Sequence, residues 1–600
     1  MTATESTLDH EALHARYLEE RDKRLRVAER SKYFALEGSL AERFDVDIWA
    51  PTDGAREPVS REFEAVVVGG GFGGMLAAGN LRKHGIAAED MCIVERGADF
   101  GGTWYWNRYP GLSCDTEAYC YLPLLEETGY VPKEKYAKGP ELFEHSQRLG
   151  HHYGLYDKAL FQTRVIDGVW DEETLRWIVT TDRGDELRAR FLLICAGATN
   201  RPKLPGIPGV EDFAGHSFHS MRWDYGYTGG GPEGNLTGLS DKRVGIIGTG
   251  CTAIQCVPPV GASAKQLFVF QRTPSPVNER ANRPTDPDWT ASLKPGWQLK
   301  RMENFLNVIS GVPEPVDLVN DGWTRSLKNA RGVFTADKST MKSKQELDAD
   351  DFAHMEQVRA RVDSIVTDPD TAEALKPWYG VLCKRPTFHD EYLQTFNRPN
   401  VTLVDTQGAG VERITPRGVV AGGTEYPLDC IIYSTGFDVS SGLAAGLGFV
   451  PKGVGGLTLL DRLAREFSWL HGVLISGFPN MFMIGGSQGT LATTRTYDLT
   501  IQGEHAAKII EYCRARGILR MEVQPQAEAA WQAEMADKRV DHDGYFEECT
   551  PGLLNLEGRG GQVYDYYYGA GPVAYRRQIE GWFANRLEQD LILGLSHSCQ

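Results

Sequence analysis

Chemistry is most concentrated in three stretches of the 600-residue chain. In the first, the apolar run Glu64-Ala65-Val66-Val67-Val68 leads directly into Gly69-Gly70-Gly71-Phe72-Gly73-Gly74, and an acid, Glu95, closes the next apolar run, Met91-Cys92-Ile93-Val94. Gly69, Gly71 and Gly74 give a tight turn, admit a pyrophosphate to the N-terminus of the following helix and let that helix pack close to its strand, while Glu95 can accept hydrogen bonds from ribose hydroxyls. The second stretch repeats the pattern as Lys242-Arg243-Val244-Gly245-Ile246-Ile247, then Gly248-Thr249-Gly250-Cys251-Thr252-Ala253, then Gln266-Leu267-Phe268-Val269-Phe270. Here the strand ends on Gln271-Arg272-Thr273 in place of an acid. A cation beside a hydroxyl suits the 2′-phosphate of NADP, which a carboxylate would repel. The third stretch, Gly101 to Asp115, carries Trp104, Tyr105, Trp106, Arg108, Tyr109 and Pro110. It is too irregular for an amphipathic helix and too bulky for a plain surface connection, so it reads as a loop facing a cofactor.

One acid-marked and one cation-marked site imply FAD and NADPH as cofactors, and hence hydride delivery to a flavin. A disulfide reductase would need a redox-active cysteine pair beside the flavin, and the chain has no C-x-x-C. A simple dehydrogenase would not need the second dinucleotide fold. A monooxygenase needs a dry site and a fixed cation. Lys384-Arg385, within Cys383-Lys384-Arg385-Pro386, either supplies that cation or is an exposed basic pair.

The elements that must hold these residues are an α/β arrangement of two Rossmann-like dinucleotide-binding domains, with a helical insertion and an N-terminal helical extension. Residues 1–60 form the extension, in which Leu13, Tyr17 and Leu18 fall at helical spacing among charges; the simplest reading is a solvated arm on the outside of a domain. Residues 61–200 are the first part of the FAD domain, and 201–280 the linker with the first part of the NADP domain. A helical insertion spans 281–379, where Ser343 to Val362 favours helix. The NADP domain resumes over 380–435 and the FAD domain over 436–600. Phe191 to Gly197, Asp429 to Asp438 and Gly477 to Gly486 are strand-to-glycine junctions; in the first two the backbone must approach something closely, by expectation the cofactors. Tyr564 to Tyr568 either lines a pocket or packs in the core.

A hydrophobic content of 41% is enough for several cores, and a net charge of -17 argues against general affinity for nucleic acid or anionic membrane. Met1 to Glu20 is acidic with no apolar run, unlike a secretory signal, and Val244 to Ala264 is interrupted by Gly248, Gly250, Pro258 and Pro259, so no membrane insertion is expected. The eleven cysteines are odd in number and scattered. They are expected as reduced thiols of a cytoplasmic protein, mostly small core residues, and none has metal-ligand spacing.

Two long patterns now carry a resemblance. Gly101-Gly102-x-Trp104, continuing to Tyr109-Pro110-Gly111 and Asp115, and Phe213-x-Gly215 continuing to His219 and Trp223-Asp224, resemble the two fingerprints of the type I Baeyer-Villiger monooxygenases, in the right order relative to the two Rossmann motifs. The resemblance covers essentially residues 60–600. It implies that NADPH reduces FAD, dioxygen adds to the flavin, and the resulting peroxide converts a ketone to an ester or lactone while NADP⁺ is retained. It also implies that Arg385 is the active-site arginine, that Asp115 orients it, that Lys384 lies near the NADP phosphate, and that His219 is a linker residue and no base. The flavin is then expected on Gly69, Gly71, Phe72, Gly74, Glu95, Gly102, Thr103, Trp104, Asp115 and Tyr121, with Trp106 also packing on its side. NADPH is expected on Gly248, Thr249, Gly250, Arg272, Thr273 and Lys384.

The chain departs from members that place a Trp in a C-terminal loop against the nicotinamide, since Cys549-Thr550-Pro551-Gly552-Leu553-Leu554-Asn555 stands there. The N-terminal arm and Pro123 to Tyr130 are similar to the branch acting on large-ring ketones. The partners implied are a small-molecule ketone and dioxygen, with the enzyme a monomer or homodimer. Two other classes stay open at this point: a flavin N- or S-monooxygenase, and a protein that senses FAD and NADPH without turnover.

Overall fold

The computed structural model describes residues 8–28, 33–34, 36–52, 54, 56–197, 199–327, 342–438, 446–542, 544–558 and 566–594. Val66, Val67, Leu192 and Leu193 are buried because their strands, Ser60–Val68 and Glu186–Ile194, lie side by side in the interior of a seven-stranded sheet. Both faces of such strands are covered, which is why they read as continuous apolar runs and show no alternation. Met91–Val94 extends the sheet on one side, Arg176–Thr181 and Val165–Asp171 add an antiparallel edge on the other, and Met481–Met483 returns from far along the chain to pair with Glu186–Ile194.

A second, five-stranded sheet is wholly parallel, in the order Val401–Asp405, Gln266–Gln271, Arg243–Ile247, Cys430–Tyr433, His216–His219. Its strands come from before and after a helical stretch that includes Trp297–Ile309, Gly322–Leu327 and Lys344–Ile365. The longest of these helices starts where the sequence encodes a start: the Ser343 hydroxyl takes the Glu346 N–H and the Glu346 carboxylate takes the Ser343 N–H.

The N-terminal helix His10–Ala28 is more than a solvated arm. Tyr17 is buried with its ring 5.5 Å from that of Phe352, and its hydroxyl accepts from Arg359 Nη1 at 3.0 Å. His14 reaches Glu548 at 3.0 Å, so one helix touches both the helical stretch and the C-terminal segment. The other aromatic cluster left open in the sequence is partly settled. Tyr564 lies outside the described residues, while Tyr568 is buried and stacks on Trp531 at 5.2 Å, and Tyr566 is exposed. Among the described residues no helix is long and apolar enough to cross a membrane.

One correction concerns the cysteines. Cys383 and Cys549 form a disulfide, their Cα atoms 5.0 Å apart across 166 residues of sequence. No spacing rule signals such a pair, because only the folded chain brings the two loops together. The other described cysteines are free thiols, all buried except the partly exposed Cys251.

Replacing Ser343 by Ala removes one side of the capping box and is expected to cost about 1 kcal/mol in denaturant unfolding, with FAD content unchanged.

Candidate active site

At the end of Ser60–Val68 the chain turns through Gly69 to Gly71 and enters the helix Phe72–Lys83. A Cβ on Gly71 would lie 3.3 Å from the Gly102 Cα, and one on Gly102 would lie 2.7 Å from the Gly71 Cα. The dinucleotide fingerprint and the Gly101 to Asp115 loop therefore meet backbone to backbone, forming a cradle that any side chain would fill. Glu95 closes its inner end, accepting the Gly70 and Gly97 N–H groups at 2.5 and 2.6 Å, and burial pushes its carboxyl above the ordinary range. Phe72 and Trp104 both meet the Tyr121 ring edge-on, at 6.3 and 5.6 Å, and Thr103 Oγ1 lies 2.7 Å from Thr199 Oγ1. Acid, glycine cradle and aromatic wall together fit an adenine dinucleotide carrying a planar ring system, which is to say FAD.

The second glycine loop is built the same way. Gly250 caps the helix Cys251–Ser263, and a Cβ there would meet no atom within 4 Å, leaving its N-terminal amides open to a phosphate. Thr249 Oγ1 donates to the Thr273 carbonyl at 2.7 Å, which joins the loop to the strand end. The strand-to-glycine junctions prove to face these loops: a Cβ on Gly69 would lie 2.8 Å from the Cys195 carbonyl oxygen, and one on Gly248 would lie 2.3 Å from that of Ser434. The fingerprint glycine of each sheet thus approaches its junction closely, while a Cβ on Gly197 or Gly436 would meet no atom within 4 Å. Lys384 sits near Arg272 and donates to the Pro551 carbonyl at 3.0 Å. Burial, Arg272 and Arg24 push its ammonium down to about 7, against a weaker upward pull from Glu557. Excess positive charge around a half-buried lysine, with no ion pair to Arg272 among the described residues, is the donor set of an anion site, and it fits the NADP phosphate.

Between the two loops lies the strongest polar contact of the region. Arg385 grips Asp115 through both guanidinium ends, Nη1 to Oδ2 at 2.5 Å and Nη2 to Oδ1 at 2.8 Å. Burial alone would push Asp115 up, but Arg385 outweighs it and holds the carboxyl below its ordinary value; burial likewise opposes the charge on Arg385, and Asp115 raises it well above the ordinary guanidinium range. Asp115 is almost enclosed, whereas the Arg385 side chain keeps 45% of its surface. The Arg385 side chain borders a cavity of about 360 Å³ whose other walls include Trp323, Leu327, Leu382, Leu491 and Leu554.

Several of these residues carry no sequence signal. Trp323 donates its indole N–H to the Asp115 carbonyl at 2.8 Å, and its ring lies 5.0 Å from the Arg385 guanidinium carbon. The loop that brings Leu491 and Ala492 to the cavity is clamped from behind: Arg495 donates to the Gly485 and Thr490 carbonyls and pairs with the buried Asp498, which accepts the Ala492 N–H at 2.8 Å. Where a Trp was missing from the C-terminal loop, Leu553 and Leu554 line the cavity and Cys549 ties that loop to Cys383, next to Lys384. Two sequence-singled residues lie elsewhere. Trp106, expected beside the flavin, is enclosed by Tyr105, Met221 and the guanidinium of Arg222 at 4.1 Å. His219 ends its strand with Nδ1 accepting the Met221 N–H, and burial pushes its imidazole down to about 3, so it is neutral and unsuited to act as a base at ordinary pH.

Comparison with known proteins agrees with this geometry. Residues 67–129 match a family of NAD(P)-binding Rossmann-like domains. Baeyer-Villiger monooxygenase ATR8 of Stachybotrys chlorohalonatus is 44% identical over 599 residues, covering 98% of this chain and 95% of that protein. The chain belongs to the Baeyer-Villiger monooxygenases. Neopentalenolactone D synthase of Streptomyces avermitilis is 46% identical over 96% of this chain and 98% of its own length. The structure of the polycyclic ketone monooxygenase from Thermothelomyces thermophila superposes with a TM-score of 0.88 at 38% identity, covering 98% of this chain and 99% of that one. One relative is named a polycyclic ketone monooxygenase, another an FAD-binding monooxygenase, and a neighbouring solved structure holds FAD and NADP; this Baeyer-Villiger monooxygenase acts on ketones with FAD and NADPH.

The depressed Lys384 generates a pH prediction. A bound phosphate favours the charged ammonium and so raises its pKa above the free value of about 7. Between about pH 7 and the raised bound value binding takes up a proton and affinity falls as pH rises; below this window Lys384 is charged in both states, above it neutral in both, and the linkage vanishes. Calorimetry of NADP⁺ binding in buffers of different ionisation enthalpy should show proton uptake that peaks between the free and the raised bound pKa of Lys384 and fades on either side, and Lys384→Met should abolish this peak.

Proposed function

We propose that Arg385 and Asp115 form the oxygen-transfer centre of this enzyme, and that it converts large cyclic or polycyclic ketones to lactones. The observation that carries the reading is the two-pronged Asp115–Arg385 ion pair at the edge of an apolar cavity. FAD, when bound, supplies the capacity to accept a hydride from NADPH and to activate dioxygen. The chain supplies the rest. Gly69, Gly71, Gly74 and Gly102 admit the flavin dinucleotide closely, Glu95 takes its ribose, and Thr103, Trp104, Phe72 and Tyr121 pack around it. Gly248, Thr249 and Gly250 take the NADP pyrophosphate, and Arg272, Thr273 and Lys384 its 2′-phosphate. Arg385 stays charged at every working pH and presents fixed N–H donors where negative charge gathers on oxygen, while Asp115 and Trp323 fix its direction.

For the substrate, the cavity wall supports a bulky carbon skeleton, since six side chains at the cavity are Trp or Leu, contributed by four separate segments of the chain. A relative named for polycyclic ketones shares the chain almost end to end, which supports the same class here.

Arg385→Ala should still bind FAD and be reduced by NADPH yet lose ketone oxygenation by at least about 100-fold, measured as ester or lactone product; normal product formation would overturn the assignment. On substrate choice, turnover should rank a steroid ketone and cyclopentadecanone above cyclohexanone, and a marked preference for the smallest ring would reject the bulky class.

A further inference from the structure

The N-terminal helix His10–Ala28 reaches the second dinucleotide site in its last turns. Arg24 is 7% exposed and lies against the end of the strand Gln266–Gln271, where its Nε donates to the Thr273 hydroxyl at 3.0 Å and to the Arg272 carbonyl at 3.2 Å. Nη1 is taken by Glu20, one turn back on the same helix, at 2.6 Å, and Nη2 has no partner among the described residues. Gly408 makes room for the approach: its φ is +89°, and a Cβ there would lie 3.0 Å from the Arg24 Cγ.

We infer that Arg24 belongs to the NADP 2′-phosphate site, so that the N-terminal extension takes part in choosing NADPH over NADH. The inference rests on the proposed reading of Arg272, Thr273 and Lys384 as that site. Three features support it. A side chain anchored only for packing would need one good partner, which Glu20 already provides; the second nitrogen is spent on Thr273, a residue already implicated in phosphate recognition. Because the Thr273 oxygen accepts from Arg24, its own proton is left to donate, and among the described residues it has no acceptor, which suits an anion oxygen. Finally, Arg24, Arg272, Lys384 and Lys203, which pairs with Glu557 at 3.8 Å, gather around one spot against the acids Glu20, Glu557 and Asp405, leaving a small local excess of positive charge. A phosphate dianion matches that excess, and the adenosine ribose of NAD brings none.

The test uses the full-length enzyme loaded with FAD and measures dissociation constants for NADP⁺, NAD⁺ and 2′,5′-ADP by calorimetry. Arg24→Ala should weaken NADP⁺ and 2′,5′-ADP by about tenfold and leave NAD⁺ unchanged, with Arg24→Lys in between. Equal weakening of NADP⁺ and NAD⁺ would reduce Arg24 to a structural anchor, and no weakening of either would also overturn the inference. Arg272→Ala is the control. If it loses NADP⁺ selectively while Arg24→Ala does not, the inference fails and the phosphate site stands; if neither variant discriminates, the underlying reading fails. Should Arg24→Ala fail to load FAD, Arg24→Gln keeps a donor for Thr273 without the charge and carries the same comparison.

Discussion

A carboxylate that is almost fully enclosed tolerates its charge only with a partner of good geometry, and Asp115 finds that partner 270 residues away in Arg385. Desolvation would otherwise neutralise it. The pair therefore imposes a condition on the whole molecule, since the loop that leaves the first glycine fingerprint and the segment that re-enters the second sheet must arrive within one hydrogen bond of each other. Trp323 adds the third support from the intervening helices, through its indole N–H and its ring face. What emerges is a cation whose position is fixed on one side by buried groups and whose other side is left to the cavity.

The cavity itself is assembled from loops, which are individually soft, and each is stiffened from outside. Arg495 and Asp498 bracket the segment that carries Leu491 and Ala492 through backbone carbonyls and an amide. The disulfide holds the segment that carries Leu553 and Leu554. The binding surface can thus be apolar, as a ketone requires, while the hydrogen bonds that define its shape sit one layer behind.

How much of this was legible in the sequence follows from distance along the chain. Gly69, Gly71, Gly74 and Glu95 announce themselves because a strand, a turn and a helix N-terminus are local objects with fixed spacing. Ser343 and Glu346 do the same for a helix start. Asp115 and Arg385 were found through the family pattern and not through any spacing of their own. Trp323, Asp498 and the Cys383–Cys549 pair were not legible at all: each acts through a contact across long stretches of chain, and nothing in the neighbouring residues distinguishes them from core packing. The arm showed its apolar face in Tyr17, yet what that face covers, and that Arg24 sits beside Thr273, depends on tertiary docking. Trp106 differs the opposite way, since its motif neighbours suggested a cofactor wall where Tyr105, Met221 and Arg222 supply the packing.

The disulfide has a topological consequence as well as a local one. It turns the backbone from Cys383 to Cys549 into a closed ring, and that ring contains Cys430–Tyr433 of one sheet and Met481–Met483 of the other. A single cut within it leaves one covalent molecule, so proteolytic fragments there stay joined until a reductant separates them. Closing a loop of 166 residues also removes conformations from the unfolded chain, worth about 5 kcal/mol on the chain-entropy view. The oxidised and reduced chains would then be alike in size when folded and different when unfolded, the ringed form being the more compact coil.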